Sequence, residues 1–391
     1  MIKYILNTVF FILSINLLSS QSLDSLNISR LHDTISSKYL NEERTVEIQL
    51  PRSYSALEKE YPLVIVFDGD YMFNLVSGNT DYLSFWGNIP EHIVVGINQK
   101  NSRFNDTSVF DNVTNLPISS TASFYDFIVL ELIPYLKKNY RISKFNIIIG
   151  HERTANFANF FILKKNPLIR GVISISPKIS NRMNDFLINN LVKTKSKISY
   201  ILLSSLNDFE TIIDNVNKLK KSLSGIKNNN LMFESIILDK DNHYTIPSTA
   251  LPVALKKLYS LYPEIDKKEY DSIITKLEYS PIAYIENKYK LIKDFYDIDK
   301  KISINDFMAI EEYIESFEQF KLYEDLSKLA NQEYPGTILP SYYMGRFYEE
   351  RGNPEKAMLI YRSAYNMNEV EGLTKEYLLE LADRINQDFN Y

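Results

Sequence analysis

The sequence predicts an α/β fold with a mostly parallel, doubly wound sheet, followed by an all-helical C-terminal region. Three observations carry this expectation. Short β-branched apolar runs alternate with helix-compatible segments between residues 44 and 262, as in a series of βαβ units. Strand signals stop from about Lys267 onward, and from Ser303 the pattern is helical. Between them, Phe145–Ile149 runs through Gly150-His151 into the helix-compatible stretch Thr154–Leu163, a strand–turn–helix junction that lifts one side chain clear of a sheet.

The first residues stand apart. Lys3 precedes the mostly apolar run Tyr4–Leu18, which ends in the small residues Ser19-Ser20. A cationic start, an apolar core of that length and a small-residue end predict a signal peptide over residues 1–20. The mature chain is then expected to be exported, periplasmic or secreted, and the richness in Ile, Asn, Lys and Tyr suits an AT-rich bacterial genome. With no cysteine, it must fold on core packing alone. No later run approaches the length of a membrane-spanning helix, so no transmembrane segment is expected in the mature chain. A net charge of −5 gives no basic stripe for nucleic acid.

The α/β domain is expected over residues 30–262. Arg44–Leu50 alternates polar and apolar like a half-buried strand, and Tyr61–Phe67 is a continuous apolar run suited to burial on both faces. Asp68-Gly69-Asp70 reads as a turn. Ile93–Ile97, Phe145–Ile149, Gly171–Ile175, Ser199–Leu203 and Phe233–Leu238 supply further strands, and Ala122–Tyr140 has helical spacing. Residues 263–302 read as a linker with irregular helical character, and 303–391 as a helical region. Within it, Gly345, Tyr348, Gly352, Ala357, Tyr361 and Ala364 lie at tetratricopeptide (TPR) spacings, with a poorer copy around Ala330 and Pro335. Such a hairpin either caps the fold or offers a surface to a protein partner.

The junction carries the chemistry. Its turn reads Gly150-His151-Glu152-Arg153-Thr154, with a carboxylate where a nucleophile elbow usually raises a serine and Thr154 in place of the closing glycine. Several blocks together resemble the putative-esterase branch of the α/β-hydrolase superfamily, the group of enterobactin-esterase-like and esterase-D-like proteins. They are LNEERTVEIQLPRSY (40–54), YPLVIVFDGDYMF (61–73), IVVGINQKNSRFNDTS (93–108), residues 147–177 and DNHYTIPSTALPVALKKLY (241–259).

The resemblance implies a three-layer α/β-hydrolase fold and a carboxylic-ester hydrolase site. It places the general base at His243 and the acid that orients it at Asp208, with Ser204-Ser205 where the family has a glycine. It draws an oxyanion hole from the backbone N–H groups of Gly69, Asp70 and Arg153. Glu152 at the elbow has no hydroxyl proton to give, so it is expected to pair with a protonated His243 or with neighbouring Arg153. The leading expectation is a catalytically degenerate site, a pseudoenzyme that binds a small-molecule or ester-like ligand. The alternatives are a working hydrolase using Glu152 or a nearby hydroxyl (Thr154, Ser176), and an interaction protein whose TPR-like tail binds a partner.

No cofactor is expected, because 11 glycines include no phosphate-cradling motif. Nor is a metal, since His32, His92, His151 and His243 show no ligand spacing. Trp86 reads as a core residue rather than a pocket rim.

Overall fold

The computed structural model describes residues 28–389; the predicted signal peptide lies outside them. The described chain divides into an α/β unit, residues 28–263 and 292–298, and a helical unit, residues 264–291 and 299–389.

Eight strands form one sheet in the order β1-β2-β4-β3-β5-β6-β7-β8. They are β1 Ser29–Ser37, β2 Glu42–Leu50, β3 Tyr61–Val66, β4 Ile93–Ile97, β5 Ile142–His151, β6 Gly171–Ile175, β7 Ile198–Asn207 and β8 Leu231–Asn242. β1, β2 and β4 pair antiparallel, and every pairing from β4 through β3 to β8 is parallel. The parallel central strands are buried throughout, which is why they appear as unbroken apolar runs.

Pleating sends alternate residues to opposite faces. Leu63, Ile65, Ile148, Val172, Tyr200 and Leu202 join one core with Phe124, Phe157, Leu187 and Leu219 from the helices that cover that face. The helices Gly69–Phe85 and Ile246–Leu258 pack against each other and against the strands. The sheet thus lies between helical layers, and the ends where β3, β5, β7 and β8 finish carry the loops of interest.

Three elements depart from the sequence expectation. β1 went unread because its polar residues are mostly exposed at the sheet edge. The Asp68–Asp70 turn is the start of a 17-residue helix, Gly69–Phe85, whose glycines, serines and asparagines gave little helical signal. Ala122–Tyr140 is helical, but it widens into a π-turn over Phe127–Leu132 just before Pro134, which has no N–H for the regular ladder. Trp86 is 61% exposed, stacked edge-on to Phe85, so the core expectation for it is corrected.

The segment expected as an irregular linker holds the helices Lys267–Ser272 and Pro281–Tyr296. In the helical unit, Ile304–Ser316, Leu322–Glu333, Leu339–Glu350, Pro354–Ser363 and Lys375–Phe389 pack each against the next. Gly345 sets the closest approach: a Cβ there would lie 2.0 Å from the Tyr361 ring. Tyr361 is fully buried, whereas Tyr348 lies nearer the surface with its hydroxyl bonded by Lys356. Tyr343 is buried on the side of the preceding helices, stacked between Phe307 and Tyr323.

Candidate active site

The elbow forms where β5 meets the short helix Arg153–Ala158. Glu152 sits at φ 57° and ψ −106°, a sparsely populated conformation for a side-chain-bearing residue. Its backbone is held there from both sides. The N–H donates to Ile175 O at 2.9 Å, and the carbonyl accepts from Asn156 N at 3.2 Å and Lys178 N at 3.0 Å. Gly150 is required at the turn because a Cβ would lie 2.6 Å from the backbone of Thr154.

The raised carboxylate does not turn to His243. Glu152 Oε2 accepts from Arg103 Nη1 at 2.8 Å, and Arg153, the expected partner, comes only to 3.7 Å. The same guanidinium donates to Asp68 Oδ1 at 2.6 Å, to Asp68 Oδ2 at 3.2 Å and to the His151 carbonyl at 2.8 Å. Arg103 therefore ties the end of β3 to the elbow through two carboxylates. Burial alone would raise the Glu152 pKa, but the Arg103 hydrogen bond and charge, then Arg153 and His243, hold it below the ordinary carboxylate range. Glu152 is an ionised, anchored anion at neutral pH.

Thr154 closes the same network. Its Oγ1 accepts from His151 N at 2.8 Å and lies 2.8 Å from Asp68 Oδ2 and 2.9 Å from His151 O. The hydroxyl is fully buried and engaged, so it is sealed away from a substrate, and Ser176 is also fully buried. Asp68 in turn takes the left-handed conformation at φ 55°, with its N–H on Gln99 Oε1 at 3.0 Å.

His243 and Asp208 come together from the loops after β8 and β7, with Nδ1 and Oδ1 at 2.8 Å. A carboxylate can only accept here, so Nδ1 carries a proton. The ring's Nε2 has no partner among the described residues. Burial would raise the Asp208 pKa, but the His243 hydrogen bond, together with Ser176 and the Phe209 N–H, lowers it. His151 packs 4.7 Å from the His243 ring, and its two nitrogens lie 3.1 Å from Tyr71 Oη and 3.2 Å from the His243 carbonyl. Burial first, then the charges of His243 and Arg103, lower the His151 pKa to about 4, so it is neutral at pH 7.

Gly69 and Asp70 are the first two residues of their helix and Arg153 the first of its own, positions whose N–H groups have no intrahelical acceptor. The structure thus brings Glu152, Arg153, His243 and Asp208 to the strand ends where Gly69 and Asp70 lie. It adds Arg103, Asp68, His151 and Tyr71, which sequence reasoning gave no role. Arg103 lay inside the block at 93–108, and only the unusual Glu152 hinted that a cation was needed nearby. No group of three or more His, Cys, Asp or Glu suited to a metal occurs among the described residues.

Residues 37–220 match the family model described as "Putative esterase". This segment is similar to that family. The chain shares its fold with solved structures at low identity. An uncharacterised protein from Capnocytophaga ochracea is 23% identical with a TM-score of 0.81, the match covering 92% of this chain and 100% of that one. An IroE-like serine hydrolase from Shewanella oneidensis is 18% identical with a TM-score of 0.58, covering 78% and 99%. The BES protein from Bacillus cereus is 21% identical with a TM-score of 0.52, covering 59% and 94%. No curated protein matches the chain.

The depressed pKa values fix the sign of the acid response. Carboxylates such as Glu152 and Asp208, lower in the folded state, contribute stability above their ordinary values and lose it as pH falls through their folded ones. Thermal unfolding followed from pH 7 to pH about 3 should show a falling melting temperature below about pH 4–5. Glu152→Gln should flatten part of that fall; an identical acid profile for the variant would show that the Glu152–Arg103 pair contributes nothing.

Proposed function

We propose that this protein is an exported bacterial esterase-family protein, periplasmic or secreted, whose cleft binds a small ester-like ligand without hydrolysing it. The observation that carries this reading is the Glu152 carboxylate clasped by Arg103 at the elbow. Serine hydrolysis needs a neutral hydroxyl whose proton passes to an imidazole as the oxygen attacks. Here the raised group is already an anion, its charge is neutralised by a cation, and the nearby hydroxyl of Thr154 is sequestered. Oriented dipoles and the Asp208–His243 pair remain, which suits recognition of a polar carbonyl ligand.

One feature favours a second reading, a carboxylate-dependent hydrolase: the Asp208–His243 pair keeps its geometry, with Nε2 open. In that scheme Glu152 attacks the acyl carbon and expels the alkoxide, leaving a mixed anhydride, and His243 then takes a proton from the water that splits this anhydride into free acid and Glu152 carboxylate.

A single set of assays separates the two. Under the binding reading, wild type shows no turnover of short p-nitrophenyl esters above buffer. Glu152→Ser then gains hydrolysis on the order of 10²-fold over wild type, because the general base is still oriented, and His243→Ala in that background abolishes the gain. Robust wild-type turnover that disappears in both Glu152→Gln and His243→Ala overturns the binding reading.

A further inference from the structure

The surface beside His243 has a chemical character of its own. Phe209 and Tyr244 are 50% and 78% exposed, unusual for large aromatic side chains that contact a buried histidine. The Phe209 ring lies 4.7 Å from the His243 ring, and the Tyr244 ring lies 5.2 Å from it at 88°. Tyr244 is also at 88° to Phe209, 6.4 Å away. The three rings therefore form a corner open to solvent. His243 is 5% exposed, with Nδ1 on Asp208 and no hydrogen bond to Nε2 among the described residues.

The charge around the corner has one sign. The strand ends and turns that carry it, residues 204–212 and 238–245, hold Asp208, Glu210, Asp239 and Asp241 against the single cation Lys240. They are tied side by side, Asn207 donating to the Asp239 carbonyl at 2.8 Å and Ser205 to the Asp241 carbonyl. The two arginines of the site are committed elsewhere: Arg103 holds Glu152 and Asp68, and Arg153 lies over Phe104 and beside Glu152.

We propose that this corner binds an organic ammonium cation, its alkyl groups against Phe209 and Tyr244 and an N–H directed to His243 Nε2. This deepens the binding reading of the same site by naming the class of group taken beside His243. Aromatic faces attract such cations through their quadrupoles, the surplus of carboxylates attracts them at longer range, and the imidazole nitrogen not bonded to Asp208 supplies the acceptor. An anionic ligand group would meet the acidic surplus of these two segments and the negative ring faces.

The test is calorimetric titration of the intact mature protein with butylammonium and, separately, with butan-1-ol and butyrate. Butylammonium should bind with a dissociation constant on the order of millimolar, as expected of a fragment. Butan-1-ol should bind at least about five-fold more weakly and butyrate not at all, with added salt weakening butylammonium. Phe209→Ala and Tyr244→Ala should each weaken it about two- to five-fold, and Tyr244→Phe, which keeps the ring, should not. Both positions are exposed, so circular dichroism should show folded variants. No butylammonium binding, equal binding of the alcohol, or insensitivity to both alanine variants overturns the proposal. Glu152-dependent ester hydrolysis by wild type with ammonium binding intact would instead overturn only the binding reading.

Discussion

Arg103→Ala is expected to lower the unfolding free energy by about 2–4 kcal/mol, read from denaturant unfolding. The guanidinium faces Asp68, whose side chain is 2% exposed, and Glu152, at 22%. Removing one member of a buried pair strands the other charge, which typically costs about 3–5 kcal/mol. Two features bring the figure down here. Arg103 is 27% exposed, and Asp68 keeps hydroxyl partners in Thr154 at 2.8 Å and Tyr71 at 3.1 Å. Arg103→Lys keeps the charge but loses the fork that reaches two carboxylates and a carbonyl, so it should fall between wild type and alanine. A loss below about 1 kcal/mol, the range of surface pairs, would show that the clasp is not structural.

That clasp also marks where sequence reasoning stops. Apolar runs identify strands because a parallel sheet buries both faces, and Tyr61–Phe67 or Gly171–Ile175 leave little else to be. The dyad was legible too, from a histidine ahead of a proline-started helix and an acid after the preceding strand. Asp208 reaches His243 although Ser204-Ser205 replace the family's glycine, because both serines are buried at the strand end and Ser204 itself hydrogen-bonds Asp208 at 3.3 Å.

Pairing of charges was not legible. Arg153 is adjacent to Glu152 in sequence and does reach it at 3.7 Å, but its guanidinium also lies over Phe104 and the hydrogen bond goes to Arg103. Arg103 is 49 residues away and reaches Glu152 only because the sheet sets the β4 loop beside the elbow. Thr154 was likewise read as a lost glycine. In the fold it gains a function glycine cannot have, donating toward Asp68 while accepting from His151 N. The Glu152, Arg103, Asp68 and Thr154 side chains make a connected set, which explains why an anion is tolerated at a strained turn.

The largest effect is expected from Arg44→Met, a loss of about 3–5 kcal/mol in denaturant unfolding. Arg44 is read from sequence only as one residue of an alternating strand, but its side chain is 7% exposed and faces Asp106, at 4%. The pair is two-pronged, Nη1 to Oδ2 at 2.7 Å and Nη2 to Oδ1 at 3.2 Å, and the guanidinium also lies over the Phe124 ring. Asp106 receives Ser102 Oγ at 2.7 Å and Gln99 Nε2 at 3.0 Å, and Gln99 accepts the Asp68 N–H. The pair thus braces the loop that delivers Arg103 to the elbow. Methionine fills the volume of the stem but strands a buried carboxylate. The penalty should shrink as pH falls, because an unpaired buried acid has a raised folded-state pKa and is destabilising only where it must stay ionised. Adding Asp106→Asn removes the charge while keeping an acceptor for Ser102 and Gln99, so the double variant should recover at least half of the loss. A double-mutant cycle with no coupling between the two positions would show that the effect comes from lost packing against Phe124 rather than from the ion pair.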